Sequence, residues 1–424
     1  MNVHGAFSVI LNVKNENIDK LRSLLVRIDS NPEGNDMIVF SNIKSIHFAR
    51  FVLCPSCVDA YGNAINCQLV FTTNYDTPLQ SHIEELVKQS GKGLWLILSQ
   101  CESFPEGNYD EITLLHFLKN KNVKANTFYV GVGPRSVLQI RQESQLRTLI
   151  ENYIDDNRIS LLSMSAVLIR DKIKTFVTKQ PDMEWASKPS PKATFSDSFQ
   201  NILKLIGVVI LCILLSPVLL PFVIVWMLCI LFNEINSKNV ACVCEKEHLE
   251  SLLIRETGIV QNQFSACGNL KPGWLRLQTV KFLLALTNFL APYLFNKGKL
   301  SGIPTVHFAR WLITNDGRQM LFLSNYDGNS ESYLRDFIHI AAKQLTLLFS
   351  HTVGYPKTRL MVFGGAKDAK DFMTWARQNQ LVTNVWYSAN PTVSLKNILH
   401  NSKIRDGLYG NMDETQAEQW LSLL

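Results

Sequence analysis

Apolar and polar residues alternate over Ala6–Val13, the period of a strand with one buried face. Over Asn17–Ile28 the period lengthens to that of a helix, with Ile18, Leu21, Leu24, Leu25 and Ile28 on one side. Strands follow at Ile46–Leu53 and Gln68–Asn74, helices at Pro78–Gln89 and Asp110–Lys119, and a strand at Asn126–Gly131. The second half predicts the same succession. A strand at Val240–Cys244 and a helix at His248–Glu256 precede strands at Val306–Thr314 and Gln319–Tyr326. Helices at Ser332–Leu348 and Ala369–Asn379 and a strand at Asn384–Ser388 complete it. Between the halves lies Leu205–Phe232, 28 residues without a charge.

Short strings recur in the same order in both halves, as a duplication requires. SIHFARF at Ser45–Phe51 returns as TVHFARW at Thr305–Trp311, and TNYD at Thr73–Asp76 as SNYD at Ser324–Asp327. SQCESFP at Ser99–Pro105 matches SHTVGYP at Ser350–Pro356, and NTFY at Asn126–Tyr129 matches NVWY at Asn384–Tyr387. Strand-helix-strand-strand-helix-strand is the ferredoxin-like order. One such unit leaves a bare sheet face, which a second copy can cover. The expected fold is therefore α+β, with two ferredoxin-like repeats closing into an intrachain α+β barrel and an inserted membrane segment. The expected boundaries are 1–177 for the first repeat, 178–204 for a Pro- and Ser-containing linker and 205–232 for the membrane segment. The second repeat takes 238–410 and a tail 411–424.

This order resembles the dimeric α+β-barrel superfamily, in the tandem form of dye-decolourising peroxidases and, more loosely, chlorite dismutases. The HFARW, LSNYDG, GYP and WYSA segments within 305–388 are also similar to a little-characterised bacterial family. The peroxidase resemblance implies haem chemistry. The Gly-x-x-Asp-Gly haem motif of those enzymes has only Asn325-Tyr-Asp-Gly328 as a counterpart here.

Asn315-Asp-Gly-Arg318 predicts a tight hairpin, which fixes a register. His307 then faces Tyr326, Phe308 faces Asn325, and Arg310 faces Leu323. Alternation puts Val306, Phe308, Arg310, Leu312, Leu321, Leu323, Asn325 and Asp327 on one face, and His307, Trp311, Ser324 and Tyr326 on the other. The Arg310, Asn325 and Asp327 face is expected to point inward, with Arg50, Asn74 and Asp76 as its copy. A guanidinium beside an amide and a carboxylate could hold an anionic substrate, or could serve as a structural network. His307 and His47 are the candidate ligands or general bases, each expected against its tyrosine, Tyr326 or Tyr75. Cys54-Pro-Ser-Cys57 lies in a hairpin loop without the further ligands of a zinc site.

Leu205–Phe232 is expected to enter a membrane. It is long for one crossing and short for two, and Pro217 and Pro221 lie near its middle, where they favour a break. If the halves pair, both lie on one side of the bilayer. That favours a re-entrant hairpin over a single span, with both halves at the cytoplasmic face. Lys188, Lys192, Lys204 and Lys238 flank the run. A second apolar stretch, 275–295, is expected either at the interface or as a core helix.

Composition adds limits. Lys plus Arg number 42 and Asp plus Glu 36, a net charge of +6 with no basic run, so no nucleic-acid partner is expected. Nine cysteines in 424 residues suit a reducing compartment. The leading expectation is a membrane-attached oxidoreductase, haem-dependent if it carries a cofactor, acting on a lipid-derived or amphiphilic substrate. The alternative is a non-enzymatic lipid- or small-molecule-binding protein or membrane scaffold.

Overall fold

The computed structural model describes residues 3–188, 195–237, 242–256, 258, 260–294 and 300–424. In chain order the first half runs β1 (His4–Asn12), α1 (Ile18–Asp29), β2 (Ile46–Cys54), β3 (Gln68–Asp76), α2 (Leu79–Leu98), α3 (Glu111–Asn120) and β4 (Thr127–Val130). Helices α4 (Val137–Asp156) and α5 (Ala166–Thr178) follow, then the long apolar α6 (Phe195–Ile235). The second half runs α7 (Lys246–Arg255), β5 (Gln261–Asn269), α8 (Trp274–Leu294), β6 (Val306–Thr314) and β7 (Gln319–Asp327). It continues with α9 (Ser330–Ile340), α10 (Ala342–Phe349), α11 (Ala369–Asn379), β8 (Thr383–Ser388), α12 (Leu395–Asp406) and α13 (Glu414–Leu421). The class is mixed α+β with antiparallel sheets.

Two four-stranded sheets carry the architecture, ordered β1-β3-β2-β8 and β4-β6-β7-β5. Each contains one strand from the far half of the chain: β8 pairs with β2, and β4 pairs with β6. Each sheet has one face under helices. Phe7, Phe51 and Phe71 pack beneath α1, α2 and α3, and Trp311 and Phe322 pack beneath α8 to α11. The other faces meet each other. Val52, Cys54 and Val70 of the first sheet form one apolar cluster with Leu312, Leu321 and Leu323 of the second. Phe48 and Phe308 form another with Val132, Ile140, Leu395 and Ile398.

The hairpin register is as the turn dictates, with Phe308 opposite Asn325, Arg310 opposite Leu323 and Thr314 opposite Gln319. Above it the ladder slips. Val306, not His307, pairs with Tyr326, and in the first sheet Ile46, not His47, pairs with Tyr75. Both histidines are the extra residue of a bulge, which turns a side chain to the opposite face. Val306 consequently stays under the helices, whereas alternation had placed it inward with Phe308.

Several elements differ from the sequence expectation. Cys242–Cys244 form no strand, and the rest of Val240–Cys244 lies outside the described residues. The edge strand is instead β5, whose inward residues Gln261, Gln263 and Ser265 are polar, so no apolar alternation marks it. Of the stretch 275–295, residues 275–294 belong to α8 and residue 295 lies outside the described residues; Val280 and Leu284 are fully buried against the second sheet and Phe282 is exposed. Ser332–Leu348 divides at Ala341 into two helices, where the backbone leaves helical values. The expected tail contains α13, whose Trp420 packs with Leu146, Ile173 and Ile404. Helix α6 is continuous through Pro217 and Pro221, without the expected break.

Helix α6 is long and apolar enough over Leu203–Ile235 to cross a membrane, by length and composition. Its flank is exposed through Phe222, Val223 and Ile224. Among the described side chains, the foot of the helix is docked. Trp226 Nε1 donates to Thr279 Oγ1 at 2.8 Å, Ile230 is fully buried, and Glu234 accepts from Thr358 Oγ1 at 2.6 Å and from Met361 N at 3.0 Å.

Candidate functional site

The repeated polar residues converge in the seam between the sheets. Arg50, rising from β2, donates to Phe264 O at 3.0 Å, Ser265 Oγ at 2.9 Å, Ser324 O at 2.9 Å and Asn325 Oδ1, all in the second sheet. Arg310, rising from β6, donates to Phe7 O at 2.7 Å, Ser8 Oγ at 2.9 Å and Thr73 O at 2.7 Å, all in the first. Each guanidinium therefore clasps the opposite sheet by its backbone. Between them Asn325 Nδ2 donates to Asn74 Oδ1 at 3.2 Å, and Trp386 Nε1 donates to Asn325 Oδ1 at 3.1 Å. Both arginines are about 2% exposed, and burial pulls each guanidinium down to about 9. They remain charged at neutral pH, held by carbonyl dipoles rather than by carboxylates.

The histidines do not meet their tyrosines. Because the bulge turns them inward, His47 Nε2 lies 2.8 Å from Asp76 Oδ1, and His307 Nε2 lies 2.6 Å from Asp327 Oδ1. Tyr75 stacks on His82 at 4.2 Å, and Tyr326 stacks on Tyr333 at 3.8 Å, both on the helix side of their sheets. Burial raises both phenols above their ordinary range, which makes them poor proton donors. The second oxygen of each aspartate accepts the first backbone N–H of a following helix. Asp76 Oδ2 takes Val137 N at 3.0 Å, and Asp327 Oδ2 takes Leu395 N at 2.7 Å. A carboxylate at a helix N-terminus is favoured by the dipole and the unpaired donors there.

Hydrophobic patterning missed one member of this end. His4, first residue of β1, pairs in register with Asp76. Its Nε2 lies 2.8 Å from Arg135 O and 3.8 Å from Asp76 Oδ1, and its ring centre is 4.9 Å from that of His47. Desolvation, with His47 adding to it, lowers its pKa to about 4, so the ring is neutral at pH 7. In the second sheet Gln261 holds the matching place opposite Asp327 and donates to Val393 O at 2.6 Å. The register, once known, is the signal that would have found both.

Space beside these groups is small. The opening lined by His47, Phe48, His307 and Gln261 is about 10 Å³, less than one water needs with room to spare. A larger cleft of about 420 Å³ lies away from the seam, among Gly354, Tyr355, Lys357, Asp368 and Asp371. His351 is fully buried near the cationic Lys271 and Arg276, and burial lowers it to about 3. The Cys54 thiol is buried beside Cys267 rather than presented with Cys57 to a metal. No family model, characterised protein or solved structure matches this chain.

Proposed function

We propose that this is a membrane-attached scaffold made of two copies of one strand-helix-strand-strand-helix-strand unit. The copies exchange their last strands and close a filled α+β barrel on one side of a bilayer. The observation that carries this reading is that β4 and β8 each lie in the sheet of the other half. Matching sheet orders, the bulge at both histidines and the reciprocal arginine clasps support common descent of the halves. The kinship with tandem α+β-barrel proteins is part of the same proposal.

The filled seam favours a scaffold over the haem oxidoreductase. A cofactor or drug-sized ligand occupies a pocket of roughly 300–1,000 Å³. At the histidines there is about 10 Å³, and Arg50 and Arg310 spend their donors on protein carbonyls.

Chain arithmetic favours both ends of α6 lying on one side. Leu203–Ile235 comprises 33 residues, an axial length of ~50 Å at 1.5 Å per residue. The hydrocarbon core is ~30 Å thick. The foot of α6 is bound to the second half through Glu234, while Lys188 O accepts from Arg405 Nη2 at 2.9 Å. Seven extended residues from Lys188 to Phe195 reach at most ~25 Å. Phe195 therefore stays within that reach of the two halves, so both ends of the continuous helix lie on their side of the bilayer and α6 lies along its face rather than across it.

Sided labelling tests the proposal. In a background lacking reactive cysteines, Ser163→Cys and Lys396→Cys report on the two halves in sealed vesicles. An impermeant maleimide should label both from the same side. Labelling from opposite sides would overturn the proposal.

A further inference from the structure

The open end of the first sheet carries a constellation that the scaffold reading does not use. His4 begins β1, Asp76 ends β3, and His47 is swung toward both by the bulge in β2. One donor atom from each lies within 4.8 Å of the others. We propose that His4, His47 and Asp76 bind one divalent first-row transition-metal ion.

Geometry supports this first. An ion with bonds of ~2.1 Å holds neighbouring donors ~3.0–3.4 Å apart. Here Asp76 Oδ1 is 2.8 Å from His47 Nε2 and 3.8 Å from His4 Nε2. Those separations bracket the required value, so small side-chain rotations suffice. Two imidazoles and a carboxylate suit zinc, iron(II) or cobalt(II), and three protein ligands leave positions for water. The Asp76 side chain is about 20% exposed, which gives an ion a path from solvent.

Support from outside the ligand set is also present. Val137 N holds Asp76 Oδ2 at 3.0 Å and so aims Oδ1 at the two rings, the kind of contact that orients a ligating carboxylate. Arg135 turns its guanidinium to Ser402 and to Val132 O, and presents its carbonyl to His4. Coordination through Nε2 would leave each imidazole N–H on Nδ1, with bonds to the ion in place of the Nε2 contacts to Arg135 O and Asp76 Oδ1.

The second sheet provides an internal control. It has the same bulged histidine, His307, and the same helix-capping carboxylate, Asp327, but Gln261 stands where the first sheet has His4. Gln261 makes the matching carbonyl contact, to Val393 O, and its Oε1 accepts from Ser388 Oγ at 2.6 Å. The fold therefore accommodates an amide at this place. Only the first half has the third ligand.

Titration of the EDTA-dialysed full chain in detergent with zinc or cobalt(II) tests the inference. One saturable ion per chain is expected, with cobalt absorption lacking thiolate charge-transfer bands. His4→Gln should weaken binding by roughly 100-fold or more and leave near-ultraviolet dichroism unchanged. Gln261→His should add a second ion. Absence of saturable binding, a thiolate cobalt spectrum, or unchanged affinity in His4→Gln would overturn the assignment. If His4→Gln fails to fold, the stoichiometry of Gln261→His decides: one ion overturns the assignment and two support it.

Discussion

Replacing Arg310 by methionine should loosen the seam more than any surface change of similar size. Methionine keeps most of the side-chain volume but removes donors to Phe7 O, Ser8 Oγ and Thr73 O. Each acceptor left dry costs ~1–3 kcal/mol. Relief of guanidinium burial, visible in its lowered pKa, offsets part of that sum. No charge is left stranded, since all three partners are neutral oxygens, and the net loss should be about 3 kcal/mol, the low end of the summed acceptor cost. With a urea slope of roughly 3 kcal/mol per molar, the midpoint falls by ~1 M. Intrinsic fluorescence follows the transition, since Trp386 sits in the same network. Arg50→Met should act similarly from the opposite side. Because both residues hold one seam, the double variant should lose less than the two single losses added, by ~0.5–3 kcal/mol. Arg310→Lys should fall between, as one ammonium lacks the fork that spans Phe7 O and Thr73 O. A folded Arg310→Met protein with an unchanged or raised midpoint would refute the clasp.

Three further outcomes follow from the geometry. Burial lowers His4 to about 4 and His82 to about 3, both below the ordinary 6.5, so the unfolded chain takes up protons first as pH falls. Their stabilising contribution is complete above about pH 6.5 and is lost toward the folded pKa values. His4 alone should account for roughly 3 kcal/mol, read as a shallower acid limb in urea titrations of His4→Gln with EDTA present. Pro217→Ala with Pro221→Ala should leave the membrane-bound fraction on flotation unchanged, because α6 is already continuous through both prolines; a changed fraction would show that the prolines shape the membrane contact. At Gly407 a methyl group would stand 2.0 Å from the Trp420 ring, so Gly407→Ala should lower stability by ~1–3 kcal/mol in thermal denaturation, and an unchanged midpoint would count against this packing.

The duplicated strings, the strand-helix order of the first half, the apolar run and the hairpin register from Phe308 to Thr314 are consequences of local patterning, and the sequence determined them. Those features depend on neighbours one to four residues away, or on a turn whose chemistry is local. Tertiary structure alone decided where β4 and β8 pair, since an exchanged strand and an unexchanged one have the same alternation. It also decided that His47 and His307 bulge. One extra residue in a ladder leaves no trace in periodicity, yet it moves both side chains from a tyrosine to a carboxylate. The polar edge strand β5 was invisible for a related reason: its inward Gln263 and Ser265 are satisfied by Thr383 and Arg50 across the seam. Helix α8, ambiguous as a short apolar run, was settled by the sheet that buries Val280 and Leu284. His4 became part of a site only when β1 was laid beside β3, which brought its ring to Asp76 and His47.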